Sequence, residues 1–291
     1  MNTLLMKKWC FGPAVITVDE LSEVEASQLE PVQVIQQVVA AERIPDFARR
    51  AEFQVRPDEP PVMHQSWQRL LFLHWRVDPE EIQAKLPPGL TVDTFDGSAW
   101  VAIVPFEMAK IRPTWAPAVP WLSWFLELNL RTYAYDENGV PGVWFLSLSA
   151  NRKIAVDLAK WWFHLPYHWS SMKTWEDHEG FTHYQCRRFS DPEKRGCEFR
   201  YRPTGEVFSA SPGTLEFFLA ERYILFADVG NGSIATGQVH HPPYPLQIAE
   251  VEKWDARVFE IDGLTLPSEP PASVLYSPGV DVEVFSLKKT L

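Results

Sequence analysis

The stretch FLELNLRTYAY (125–135) decides what kind of chain this is. Leu126, Leu128 and Leu130 alternate with Glu127, Asn129, Arg131 and Tyr133, and a strand points successive side chains to opposite faces. The leucine face must pack. The polar face has two fates. In an open sheet it meets water, with Glu127 and Arg131 as a weak surface pair. In a closed sheet it lines the lumen, where a carboxylate, an amide, a guanidinium and a phenol converge on a ligand. Alternation alone leaves both open. The next strand, VWFLSLSA (143–150), carries a similar polar face in Ser147 and Ser149, beside Phe145.

Other strands surround this pair. LLFLHWRV (70–77), AWVAIVPF (99–106), FTHYQCRRF (181–189), CEFRYRP (197–203), ILFAD (224–228) and VLYSPGVDVEVFSL (274–287) are rich in β-formers and bounded by turn signals. Asp96-Gly97 and DENGVPG (136–142) read as hairpin turns. Helices are few. Asp78 caps a short one with Pro79 at its first position, ended by Pro87-Pro88. TLEFFLAERY (214–223) is another. NRKIAVDLAKWWFHL (151–165) is the clearest, with Asn151 as cap and an apolar stripe of Ile154, Leu158, Trp161, Trp162 and Leu165, stopped by Pro166. Many strands with a few inserted helices predict an α+β class built on an antiparallel, barrel-like sheet.

Residues 1–63 read as an N-terminal extension and 64–291 as the sheet domain. In the extension, Val32, Ile35, Val38, Val39 and Ile44 follow helical spacing, Asp46 can cap a second short helix, and RPDEPPV (56–62) is an extended linker. The arm's apolar stripe needs a surface, either its own domain or a second subunit.

Composition bounds the function. The 291 residues are 46% hydrophobic with 13 Trp, enough for a large core. A net charge of −11 repels phosphate backbones and anionic lipid, so neither nucleic acid nor membrane is an expected partner. The short basic runs Lys7-Lys8, Arg49-Arg50 and Arg187-Arg188 to Lys194-Arg195 read as solvated faces. Three cysteines, Cys10, Cys186 and Cys197, without CxxC spacing make no zinc site or disulfide framework, although Cys186 and Cys197 can face each other on a hairpin. With no secretory signal and no membrane-spanning run, the expected location is the cytoplasm.

Three further clusters carry chemistry or a blander role. In FHLPYHW (163–169), His164 and His168 have helical metal spacing, but Pro166 between them breaks the geometry. Tyr167 and His168 remain as donors or proton carriers at a helix end, or as core rings. In VHHPPYP (239–245), His240 and His241 point to opposite faces, so one at most enters any pocket. Glu221 and Arg222 in AERY (220–223) suit a structural ion pair. No GxGxxG, P-loop, GxSxG or HExxH motif is present, and no metal or other cofactor is expected.

In order, LLFLHWRV, LPPGLTVDTFDGSAWVAIVPFEM, FLELNLRTYAY, GVPGVWFLSLSA, LPYHW, AERY, VHHPPYPL and LYSPGVDVEVF resemble the DUF2071 (YqjF-like) family over about residues 64–286. The resemblance implies the acetoacetate decarboxylase-like fold, a closed antiparallel β-barrel or cone with a central pocket and a few peripheral helices. It moves Glu127, Asn129, Arg131 and Tyr133 towards the lumen. The decarboxylases place a Schiff-base lysine after a proline, opposite a glutamate on a strand. Here HLPYH falls at that motif, so Tyr167 stands where the lysine would and His168 where its neighbour would. A phenol forms no imine, and Lys160 and Lys173 lie outside the motif. The expectation is a small-molecule pocket, enzymatic on a small carboxylate or carbonyl compound without a Schiff-base lysine. Glu127, Tyr167 and His168 are its catalytic candidates. Arg131, Asn129, Tyr133 and Ser147 are its ligand-binding candidates, Arg131 taking an anionic group. The alternatives are a non-catalytic sensor, or an interaction protein working through the arm, with a second copy of the chain, in a homo-oligomer, as one candidate partner.

Overall fold

A computed structural model describes residues 43–193 and 196–289, and one compact unit begins at Pro45. The arm helix, Cys10, Lys7-Lys8 and Lys194-Arg195 lie outside the described residues. Thirteen strands form one sheet: β1 (Met63–Val77), β2 (Leu90–Val92), β3 (Ala99–Pro113), β4 (Phe125–Asp136), β5 (Pro141–Ala150), β6 (Tyr167–Glu176), β7 (Thr182–Arg188), β8 (Cys197–Phe208), β9 (Ile224–Asp228), β10 (Ile234–His240), β11 (Leu246–Lys253), β12 (Ser273–Val284) and β13 (Lys288–Lys289). Their order is β13-β10-β9-β5-β6-β7-β8-β11-β12-β1-β3-β4-β2, and β4 also pairs with β5 and β10 with β12. The helices are short: α1 (Phe47–Glu52), α2 (Pro79–Gln83), α3 (Lys153–Phe163), α4 (Leu215–Ala220) and α5 (Arg257–Ile261).

The sheet is mixed, which corrects the purely antiparallel expectation. β5 runs parallel to both β6 and β9. A parallel neighbour requires a crossover, and α3 supplies it between β5 and β6. Turn chemistry matches the sequence elsewhere. Asp96 and Gly97 both take positive φ between Phe95 and Ser98, as a tight hairpin needs. Asp78 and Asp46 cap their helices by accepting from Glu80 N and Arg49 N.

Residues 46–62, read from sequence as part of the extension, are pinned to the sheet. The Arg50 guanidinium forks onto buried Asp93, Arg56 pairs with Glu283, and Val62 N donates to Val284 O. Asp93 also takes Arg222, so one buried carboxylate answers two guanidiniums. The ion pair expected of AERY therefore exists, but Arg222 makes it with Asp93. Glu221 instead accepts from the Tyr223 hydroxyl and Tyr244 N.

α3 departs from its reading in three ways. Arg152, not Asn151, occupies the cap, because the Asn151 side chain is spent on Leu126 N at 2.9 Å. The helix ends at Phe163 with His164 left-handed at φ 53, before Pro166. Its apolar stripe is not buried: Trp161 is 76% exposed, Ile154 53% and Leu158 44%, and within the helix only Val156 is buried.

Both faces of β4 are covered. Leu128 and Leu130 join Leu71, Leu73, Val101 and Ile103 in one cluster with Met172, Tyr184 and Phe199. The opposite face packs against Phe72, Phe218 and the 239–246 segment. The Tyr184 hydroxyl, on the leucine side, donates to Glu127 O at 2.7 Å. β7 therefore supports the strand from behind, and the polar residues look towards α4 and Tyr244. Among the described residues no helix is long and apolar enough to cross a membrane.

Candidate functional site

Register decides which side chains meet, because directly paired residues share a face. His74 pairs with Ala102 and Ala102 with Arg131, so the imidazole and the guanidinium stand two strands apart on one face. Glu127, Asn129, Arg131 and Tyr133 are all buried on that face.

Ser147 is elsewhere. Strict alternation would keep Phe145, Ser147 and Ser149 together, but β5 bulges at Leu146. Arg131 therefore pairs with Phe145, while Leu130 pairs with Ser147 and Leu128 with Ser149. One extra residue moves both serines to the leucine face. Tyr167 and His168 are also parted. They begin β6, not a helix end, and adjacent strand residues face opposite ways. Tyr167 donates to Glu127 Oε2 at 3.0 Å, whereas His168 pairs with Ser149. His168 belongs to a second cluster. There Arg188 forks onto Asp262 (2.6 and 2.9 Å) and bonds Ser149 and Ser147. Burial and the Arg188 charge lower the His168 pKa. That cluster is saturated: the Arg188 guanidinium has a carboxylate and two hydroxyls.

The face with Glu127 is not saturated. Burial pushes the Glu127 carboxyl up to about 8, against the pull of the Tyr167 hydroxyl and the Asn129 amide. At neutral pH it is mostly the neutral acid. Burial and the neighbouring Glu127 hold the Tyr167 phenol well above its ordinary value, so it keeps its proton. Four residues on, about 13 Å along the strand, a second station forms around Arg131. Its Nη2 donates to Leu219 O at 3.4 Å, its charge lies over Phe72 and Tyr133, and it forms no ion pair among the described residues. Its Nε has no partner, nor has Asn129 Oδ1.

His74 and His241 complete this station. The Tyr133 hydroxyl gives its one proton to Leu219 O at 2.8 Å, so it must accept from His74 Nε2 at 2.8 Å. His74 is therefore the Nε2–H tautomer with a bare Nδ1, and burial with the Arg131 charge keeps it neutral. Of the two histidines in VHHPPYP, His241 is the buried one. It stacks on Tyr223, lies against Tyr244, and leaves Nε2 without a partner. Burial lowers its pKa to about 4. Sequence reasoning did not single out His74, whose one signal is a histidine inside the apolar strand LLFLHWRV. Arg188, read from sequence as part of a solvated basic run, is instead buried at the end of β7, and Asp262 follows α5 with no local mark.

No group of three or more His, Cys, Asp or Glu among the described residues is placed to hold a metal. Every lysine among the described residues is exposed. Cys186 and Cys197 do face each other across the β7–β8 hairpin, both as free buried thiols, and burial lifts Cys186 to about 11.

The profile of DUF2071, an uncharacterized conserved protein family, matches residues 64–281. The chain belongs to the DUF2071 family. Uncharacterized protein YqjF of Bacillus subtilis (strain 168) is 36% identical over 233 residues, covering 80% of this DUF2071 chain and 94% of YqjF. Among solved structures, an acetoacetate decarboxylase-like enzyme from Sphingomonas wittichii RW1 matches with TM-score 0.54 at 13% identity, over 80% of this chain and 94% of that one. Acetoacetate decarboxylase from Legionella pneumophila matches with TM-score 0.56 at 12% identity, over 83% and 94%. The enduracididine biosynthesis enzyme MppR complexed with pyruvate matches with TM-score 0.53 at 13% identity, over 79% and 91%. At such identities the likeness gives the fold alone. This DUF2071 member thus has an acetoacetate decarboxylase-like fold, mostly sheet with few helices.

Proposed function

We propose that the chain binds a small carboxylate or carbonyl compound on the polar face of β4, inside a closed cone. The pairings β4–β5 and β10–β12 support that closure. Arg131 takes the anionic group, with Asn129 and Tyr133 beside it, and the Glu127–Tyr167 pair gives or takes a proton at the other end. The carrying observation is Arg131: a guanidinium only 8% exposed, with no carboxylate to answer it among the described residues. An uncompensated buried charge is costly, and an anionic ligand removes that cost. Its planar fork suits a carboxylate. His168 and Ser147, on the opposite face, have no part in this site.

A Schiff base has no support. Tyr167 contacts the strand glutamate, and no described lysine is buried. MppR has been captured with pyruvate, which makes pyruvate a reasonable first probe. At a hundredfold excess over Kd, a ligand adds about 2.7 kcal/mol of stability, several degrees in a thermal melt. Pyruvate, acetoacetate and related small acids should raise the melting point of the wild type and not that of Arg131→Ala. If no such acid shifts the wild type more than the variant, the reading fails.

A further inference from the structure

α3 and the 114–124 loop leave an unusual set of side chains open. Trp115 is 83% exposed, and Val119, Leu158 and Trp162 are each about two-fifths exposed. These four do not stand singly. With Met63, Met108 and Phe125 they line a cavity of about 400 Å³ between the loop, α3 and the sheet. That volume suits a small molecule. Of the α3 stripe, Leu158 and Trp162 line this space, whereas Ile154 and Trp161 do not.

Besides the indoles of Trp115 and Trp162, three lining side chains carry polar groups. Ser123 Oγ accepts from Val119 N at 2.8 Å. Arg112 is half-buried at the wall. The third is Tyr167, which lines the cavity and reaches Glu127 behind it. An apolar chamber therefore ends on a phenol backed by a carboxyl. When Glu127 carries its proton it can donate to the Tyr167 oxygen, and the phenol hydrogen is then free to point into the chamber.

We propose that this cavity binds the apolar body, alkyl or aryl, of a carbonyl compound whose oxygen accepts from the Tyr167 hydroxyl. The inference shares Tyr167 with the site proposed above, but it does not require an anion at Arg131. A substrate for both would carry a hydrophobic group several carbons long on this side of Tyr167.

Calorimetric titration of the full chain with 2-butanone, 2-hexanone, 2-octanone and 2-decanone tests it. Each buried methylene strengthens binding roughly fourfold, so 2-octanone should exceed 2-hexanone by about sixteenfold until the chamber is full. Ala159→Phe, on α3 in the cavity wall, should abolish the trend. Leu158→Glu, at an exposed helix position that folding tolerates, should weaken 2-octanone at least tenfold. Tyr167→Phe should weaken 2-octanone about three- to tenfold while leaving 1-octene unchanged. Affinity independent of chain length, or a trend that survives Leu158→Glu, overturns the inference. The trend should persist in Arg131→Ala. If it does while no small acid binds the wild type, the anion reading fails and this one stands. Small acids that bind in an Arg131-dependent way without any chain-length trend give the reverse.

Discussion

The proton on Glu127 should be measurable as a slope of stability against pH. A glutamate in the unfolded chain titrates near 4.5, and burial lifts Glu127 to about 8 in the fold. The folded state therefore holds the proton more tightly, and between these values it carries one proton more than the unfolded state. Stability from this group is fully present below pH 4.5 and is lost as pH rises through 8. The limiting slope is about 1.4 kcal/mol per pH unit. Integrated from pH 5 to 9 the loss is on the order of 4 kcal/mol, with more than half of it gone by pH 7. Other groups titrate over the same range, so the informative quantity is the difference between wild type and Glu127→Gln. The glutamine keeps the shape and can still accept from Tyr167, but has no proton to lose. Urea unfolding at pH 5, 6, 7, 8 and 9, with a common m-value checked at each pH, should show the two stabilities diverging with pH. The wild type falls relative to the variant. Parallel profiles across this range would refute the buried neutral acid, and with it the idea that the Glu127–Tyr167 pair can give a proton at neutral pH.

Other outcomes follow from the same geometry. Tyr167→Phe removes a hydrogen bond that favours the Glu127 carboxylate, so the pH at which the stability loss levels off should lie above 8 in that variant in the same urea series. Arg131→Met removes a buried charge that has no ion-pair partner among the described residues and should raise unfolding stability by about 1–3 kcal/mol, read from urea midpoints, while abolishing acid-dependent thermal shifts. Arg188→Ala breaks a buried fork onto Asp262 and should cost about 3–5 kcal/mol; Arg188→Lys cannot restore the two parallel bonds. Borohydride added with pyruvate should leave the intact mass unchanged, since no described lysine is buried in the site, and an adduct mapped to one lysine would reverse that conclusion.

Local order was largely legible. The alternation in FLELNLRTYAY placed Leu128 and Leu130 in one core and Glu127, Asn129, Arg131 and Tyr133 on the other face, because the strand period is fixed by backbone geometry. Asp78 and Asp46 capped their helices, and Asp96-Gly97 turned its hairpin, because each effect needs residues only a few positions apart. DUF2071 membership, too, was carried by the order of motifs along the chain.

What the sequence alone determined was thus most of the elements and, where no bulge intervened, their two faces. Which faces meet was decided by tertiary pairing. A single bulged residue, Leu146, sent Ser147 away from Arg131. The parallel docking of β6 on β5 turned Tyr167 to Glu127 and His168 to the Arg188 side. His74 and His241, 167 positions apart by their numbers, come to one station beside Arg131 through strands that never adjoin in sequence. The Glu127 pKa has the same origin: desolvation depends on everything packed around the carboxyl, and no window of neighbouring residues contains that.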